Sequence, residues 1–234
     1  MHNTGFKTSD FVVSSYTPTL TALLEPLSVK KQAFMGILGV SQPSTPGQSP
    51  LPNAEEELQH IEKLSSGLVV HSLLGEQATI ESVLAAMEKY SWVHLACHAE
   101  QNISEPTQSA FHLYDGSLPL SKIITKSFPH ADFAFLSACQ TATGNEDLSD
   151  EAVHLAGGML AAGYKSVIAT MWSIRDKDAP SVAAEVYCRL VSPEPNSSCA
   201  AYALHHAVQC LRKKQEESGQ SSFFSWVPFI HVGI

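Results

Sequence analysis

Long hydrophobic runs are missing from this 234-residue chain. The nearest approach, Leu155–Tyr164, is about half the ~18 residues that a membrane-spanning helix needs, so no membrane association is expected. The residues from Met1 to Asp10 are polar, and the apolar run Phe11–Val13 is too short for the core of a secretory signal. Basic residues are scarce as well: 14 Lys and Arg stand against 23 Asp and Glu, a formal net charge of −9. Binding nucleic acid through released counterions needs a basic face, so no nucleic-acid partner is expected. The one basic cluster, Arg212–Lys213–Lys214, reads as a helix end, where cations complement the dipole. Cysteines are few, odd in number and widely spaced (Cys97, Cys139, Cys188, Cys199 and Cys210). That pattern is unlike a disulfide framework and suits a reducing compartment, which predicts a cytoplasmic protein. There is no Gly-x-Ser-x-Gly elbow, phosphate loop or dinucleotide-binding glycine pattern, so Ser137 has no support as a nucleophile. No internal repeat is present.

What the chain does have is apolar material, 44% of residues against 16% charged. A chain of this size buries about 70–75% of its unfolded surface, enough for one substantial core. Short β-rich runs alternate with helical patterns. Strands are predicted at Asp10–Tyr16, Ala33–Val40, Leu68–Leu73, Ser91–His98, Phe111–Tyr114, Ala131–Ala138, Lys165–Trp172 and Phe223–Val232. Pro18–Leu24 reads as a short helical or turn segment, and residues 41–53 as a Pro/Ser-rich loop with prolines at 43, 46, 50 and 52. Asn53 then caps a helix whose first turn holds Glu55, Glu56 and Glu57, acids that complement the dipole, with Leu58, Ile61 and Leu64 as its apolar stripe. Further helices are expected at Ala78–Glu88, Leu120–Ile124, Asp150–Gly163, Asp178–Val191 and Ser198–Glu217. The small residues Ala156, Gly157, Gly158, Ala161 and Ala162 suit close packing on a sheet. Alternation of this kind predicts an α/β fold, a mostly parallel sheet covered on both faces, with the site outside the carboxyl ends of the strands.

Two strand exits carry reactive groups: Trp92–His98 ends in a histidine and Ala134–Cys139 in a cysteine. On neighbouring parallel strands they would emerge together, and an imidazole beside a thiol suits nucleophilic catalysis. Read by itself, Cys139 is equally a small hydrophobe closing a core strand. His94 and His98 share an H-x3-H spacing, but on a strand they lie about 13 Å apart, too far to share a metal. Cys97 alternates to the face opposite His98 and reads as a buried structural thiol. Cys188, Cys199 and Cys210 read as packed helix residues, and His205 and His206 as ordinary helix positions.

The segments His94-Leu95-Ala96-Cys97-His98 and Leu136-Ser137-Ala138-Cys139-Gln140-Thr141 resemble the two catalytic motifs of the CHAT domain. That is a caspase-like cysteine peptidase domain, often joined to tetratricopeptide repeats and distantly similar to separase. Leu155–Trp172 resembles the family's glycine-alanine helix and following strand, Phe224–Gly233 its closing strand, and Ser15–Leu20 its opening. The resemblance covers nearly the whole chain, which is expected to form a single domain over residues 1–234, the C-terminal part of a larger repeat-containing protein.

The resemblance implies a caspase–hemoglobinase-like three-layer sandwich and a cysteine endopeptidase of protein substrates in a regulated signalling or defence setting. It makes Cys139 the nucleophile and His98 the acid/base, with the oxyanion held by the backbone N–H groups of Ala99 and Cys139. The family usually has Gly where this chain has Ala99. It also implies a tetratricopeptide-repeat partner region, in cis or in trans, and chemistry that needs no metal or cofactor. Asp150, at the expected helix start, has two readings: a carboxylate drawing a basic side chain into the substrate pocket, or an acid favoured by the helix dipole. The rival to the peptidase is a catalytically silent interaction or scaffold module on the same fold. Hydrolysis of a non-peptide ester by the same pair is a third reading.

Overall fold

The computed structural model describes residues 8–17, 33–102, 104–137, 139–140, 152–172, 174–219 and 223–234. Its strands are β1 (Ile37–Ser41), β2 (Val70–Leu74), β3 (Trp92–Ala96), β4 (His98–Glu100), β5 (Ala110–Leu113), β6 (Gly116–Pro119), β7 (Phe133–Leu136), β8 (Cys139–Gln140), β9 (Ser166–Thr170) and β10 (Phe229–Gly233). Its helices are α1 (Ala54–Leu64), α2 (Ile80–Met87), α3 (Leu120–Ile124), α4 (Ala152–Ala161), α5 (Ala179–Leu190), α6 (Ala200–Glu217) and α7 (Phe223–Trp226).

Six strands form the main sheet in the order β10-β9-β7-β3-β1-β2. All pairs are parallel except β10 with β9. Parallel strands covered on both faces are apolar throughout rather than alternating, and β1, β3, β7 and β9 are buried at every position. Successive residues feed opposite layers. Val93, Leu95, Ala134 and Leu136 join one core with Val83 and Met87 of α2 and Leu155 and Met159 of α4. Trp92, Phe133 and Phe135 join the other with Val182, Val186 and Tyr187 of α5 and Leu204 and Leu211 of α6. The result is the expected three-layer α/β sandwich.

Several boundaries differ from the sequence expectations. Asp10–Tyr16 is not a strand: it opens with a 3-10 turn at Thr8–Asp10 and meets strand β10 through a bridge from Tyr16 to Val232 and through Ser15 Oγ, which bonds His231 and Gly233. Phe11 and Val12 are exposed there. Phe223–Val232 divides into the short helix α7 and the antiparallel strand β10. Ser91–His98 divides at Cys97 into β3 and β4, and the polar loop expected from Ala99 starts as strand β4 instead. Residues 116–119, unassigned in the sequence, pair with β5 as a hairpin. The segment Pro18–Leu24 lies outside the described residues.

A second, four-stranded sheet has the order β6-β5-β4-β8. It grows directly out of the first, because β4 follows β3 and β8 follows β7. The small-residue helix α4 packs beside β9. The closest approach at its glycines is to a neighbouring helix rather than the sheet: a Cβ on Gly158 would lie 2.6 Å from Leu120 of α3, whereas one on Gly157 would meet nothing within 4 Å among the described residues.

Candidate active site

At the carboxyl end of the main sheet, β3 and β7 run side by side with Leu95 opposite Leu136. Each chain then breaks and re-forms a short strand, and these two strands pair again in parallel, His98 opposite Cys139 and Ala99 opposite Gln140. The register is unchanged across the break, so the pairing of the core strands carries His98 and Cys139 into adjacent positions. Paired strands lie about 4.8 Å apart, so the two residues are immediate neighbours.

His98 is buried, and its Nε2 lies 2.7 Å from the carbonyl oxygen of Ser49. A carbonyl only accepts, so Nε2 carries the hydrogen and Nδ1 is the acceptor in the neutral ring. Nδ1 is itself buried, with no hydrogen-bond partner among the described residues. The orienting carbonyl comes from the 41–53 loop, which is well anchored. The Gln42 N–H donates to the Ala96 carbonyl at 2.8 Å, that of Leu51 to Pro43 at 2.9 Å, and Leu51 is buried against Ala54, Leu58 and Ala96.

Across β4 on the other side, His112 of β5 is the register partner of His98. His112, His98 and Cys139 therefore form one row over three strands. Ser117 Oγ lies 3.1 Å from His112 Nδ1, and a carboxylate oxygen of Glu100 is 3.6 Å from its Nε2. Burial depresses the His112 pKa; Glu100 opposes that, and the neighbouring His98 adds to it. A largely neutral His112 limits positive charge beside His98.

Beneath this row lies a buried polar cluster. Glu57, only 2% exposed, receives Ser137 Oγ–H at 2.9 Å on one carboxylate oxygen and His94 Nε2–H at 3.1 Å on the other. His94 also packs on Phe135 and Tyr187, with ring centroids 4.9 and 5.7 Å apart. Tyr187 titrates well above a normal phenol because of its burial first and the Glu57 charge second. Glu57 thus ties α1 to His94, near the end of β3, and to Ser137, the residue that follows β7. The sequence reading placed Glu57 with Glu55 and Glu56 as dipole-complementing acids. The missed signal is helical spacing: Glu57 shares a face with the buried Ala54, Leu58 and Ile61.

A family model of the CHAT domain matches residues 2–234. The chain belongs to the CHAT domain family. No curated protein matches this CHAT domain. Among solved structures it is similar to the complex of Porphyromonas gingivalis RgpB pro- and mature domains, at 11% identity and a TM-score of 0.53 over 86% of this chain and 47% of that one. A structure of the Arg-specific cysteine proteinase gingipain R (RGPB) aligns at 12% identity and a TM-score of 0.48, over 84% of this chain and 45% of that one. The chain thus spans about half the length of these neighbours. The first of these likenesses, with the family match, supports a caspase-like α/β fold.

Other sequence-predicted positions in this CHAT domain fall as follows. Ala99 sits fully buried in the middle of β4, and no described residue other than glycine has a positive φ, so Ala replaces the family's usual Gly without backbone strain. Asp150 lies outside the described residues. Cys97 is buried in the apolar core, as its alternation suggested. His94 and His98 do not converge, since Nε2 of one faces Glu57 and Nε2 of the other faces Ser49. Cys188 was expected to pack but is exposed on α5, because its helical position turns away from the core face formed by Val182, Val186 and Leu190. His206, expected to be an ordinary helix residue, lies with Glu185 and Cys210 in a group of potential metal ligands. No described helix is long and apolar enough to cross a membrane.

Proposed function

We propose that this CHAT domain is a cysteine endopeptidase in which Cys139 is the nucleophile and His98 the acid/base. The observation that carries this reading is the direct pairing of the two residues on parallel strands, with the His98 tautomer held by the Ser49 carbonyl. Nδ1 of His98 takes the thiol proton, and the thiolate sulfur attacks the carbonyl carbon of the scissile peptide bond. The resulting oxyanion is met by the backbone N–H groups of Ala99 and Cys139, the donors that the family resemblance implies. His98 returns its proton to the leaving nitrogen, the C–N bond breaks and an S-acyl enzyme remains. Water, deprotonated by the same Nδ1, then attacks the thioester, releasing the carboxylate product and restoring the thiol.

The substrate is a protein chain, with Asp150 drawing a basic side chain into the pocket before the cut bond. A tetratricopeptide-repeat region, in cis or in trans, presents substrate or conveys the activating signal, and the reaction runs in the cytoplasm. The decisive experiment exposes an unbiased peptide library to wild type, Cys139→Ala and His98→Ala and reads cleavage by mass spectrometry, with circular dichroism confirming that each variant folds. Cuts after basic residues that vanish in both variants are the expected result. Cuts after apolar residues remove the role given to Asp150. If wild type cuts nothing, with or without the repeat region, the peptidase reading falls and the scaffold module replaces it. Cleavage of small thioesters without peptides would instead favour the esterase.

A further inference from the structure

We propose that Glu185, His206 and Cys210 form a divalent-metal site of the zinc class that cross-links helices α5 and α6. His206 and Cys210 are one turn apart on α6 and so share a face, and Glu185 approaches from α5, which packs against it. His206 Nδ1 lies 3.6 Å from a Glu185 carboxylate oxygen and 3.6 Å from Cys210 Sγ, and the three donor atoms all fall within 4.8 Å of one another.

Those separations are informative. At 3.6 Å the imidazole and carboxylate are too far apart for a hydrogen bond, which spans about 2.7–3.2 Å. Donors held about 2.0–2.3 Å from a tetrahedral zinc lie roughly 3.4–3.6 Å from each other. Nitrogen, sulfur and oxygen together suit Zn²⁺ better than Mg²⁺ or Ca²⁺, which prefer oxygen alone. The sulfur lies beside the ring, 3.8 Å from Nε2 as well, so the site closes by a turn of the imidazole. The side chains of Glu185 and His206 are each a little under half exposed, which leaves room for that turn and for a water as fourth ligand. Binding releases the Cys210 thiol proton to solvent, and the carboxylate and thiolate together balance the charge of the ion.

The ion pins α5, whose Tyr187 backs His94 and Phe135, to its neighbour α6. This structural clamp is separate from the Cys139 reaction. The test uses the full chain carrying Cys139→Ala, so that metal held by the candidate dyad does not contribute. Titration with Co²⁺ should produce thiolate-to-cobalt charge-transfer absorption, which added Zn²⁺ bleaches by displacement. Adding Cys210→Ser should abolish the band, and the control Cys188→Ser should keep it. His206→Ala should weaken Zn²⁺ binding by calorimetry at least about tenfold, the lower end of what even an outer-shell partner contributes to a metal site. Zinc at a hundredfold excess over its Kd should raise Tm by roughly 5–10 °C, and this rise should vanish in His206→Ala and Cys210→Ser. The half-exposed positions let these variants fold, which metal-free melting curves verify. A cobalt band that persists in Cys210→Ser, or equal zinc affinity in His206→Ala, overturns the proposal.

Discussion

The two sheets of this molecule are joined along the chain, β3 leading into β4 and β7 into β8, but differ in their means of specification. The six-stranded sheet rests on runs such as Phe133–Leu136 and Ser166–Thr170, buried at every position and filled by alternating side chains from both layers. The four-stranded sheet includes β4, with three residues, and β8, with two, and neither holds enough apolar surface to form alone. Its β4–β8 pairing is inherited from the register of β3 and β7. The core sheet therefore supplies rigidity, and the candidate site occupies the place where its strands break and resume.

That contrast predicts a separation between function and stability. The largest effect belongs to the small sheet: His98→Ala should lower kcat/KM for a cleaved peptide by about 10²–10⁴, the usual worth of a general acid/base, while Tm moves only slightly. Equal losses of activity and stability would erase the distinction.

The next effect tests the junction between the sheets. Glu57→Ala leaves Ser137 Oγ–H and His94 Nε2–H buried without their acceptor, which should cost about 3–5 kcal/mol in urea unfolding. A cost below about 1 kcal/mol would mean that Glu57 does not tie the strand ends to α1.

Acid probes the edge of the large sheet. His231, between the hydroxyls of Ser15 and Ser166, is pushed down to about 4 by burial. The unfolded chain, with an ordinary histidine pKa near 6.5, binds the proton first. This residue's contribution is therefore complete above about pH 6.5, declines as pH falls towards about 4, and is level below that. The loss is on the order of 3 kcal/mol. Melting curves across this range should show that slope in wild type and a shallower one in His231→Gln.

Smaller effects sharpen the comparison within one helix and at the surface. Gly158→Ala forces a methyl into Leu120 and should cost about 1–3 kcal/mol. Gly157→Ala, facing open space, should instead stabilise by roughly 0.5–1 kcal/mol. The same sign at both positions would show that propensity rather than packing governs α4. Least of all, Lys126→Ala removes a half-exposed ion pair with Glu88 and should change stability by less than about 1 kcal/mol.

Much of the core was legible because its signals are local. Apolar runs marked β1, β3, β7 and β9, an apolar stripe marked α1, and helices were expected where α2, α5 and α6 lie. Where a local signal needed a distant partner, the reading failed. Phe11 and Val12 have strand character but follow a 3-10 turn and are exposed, and the apolar ending conceals the turn from α7 to β10. His98 and Cys139 were singled out by their motifs. The row they share with His112 was not, because residues 98 and 112 meet only after β4 and β5 fold back on each other.

The sequence by itself determined the layered α/β class and the family and singled out His98 and Cys139 as the candidate pair, since hydrophobic period and contiguous motifs are properties of the chain. Only the tertiary structure decided that β3 and β7 keep their register beyond the break and that the Ser49 carbonyl selects the tautomer of His98. It likewise decided that Glu57 is a buried acceptor rather than a surface acid, and that Glu185 meets His206 and Cys210. Each depends on groups distant in sequence coming within a few ångströms, and a hydrogen bond or a metal ligand set responds to that distance alone.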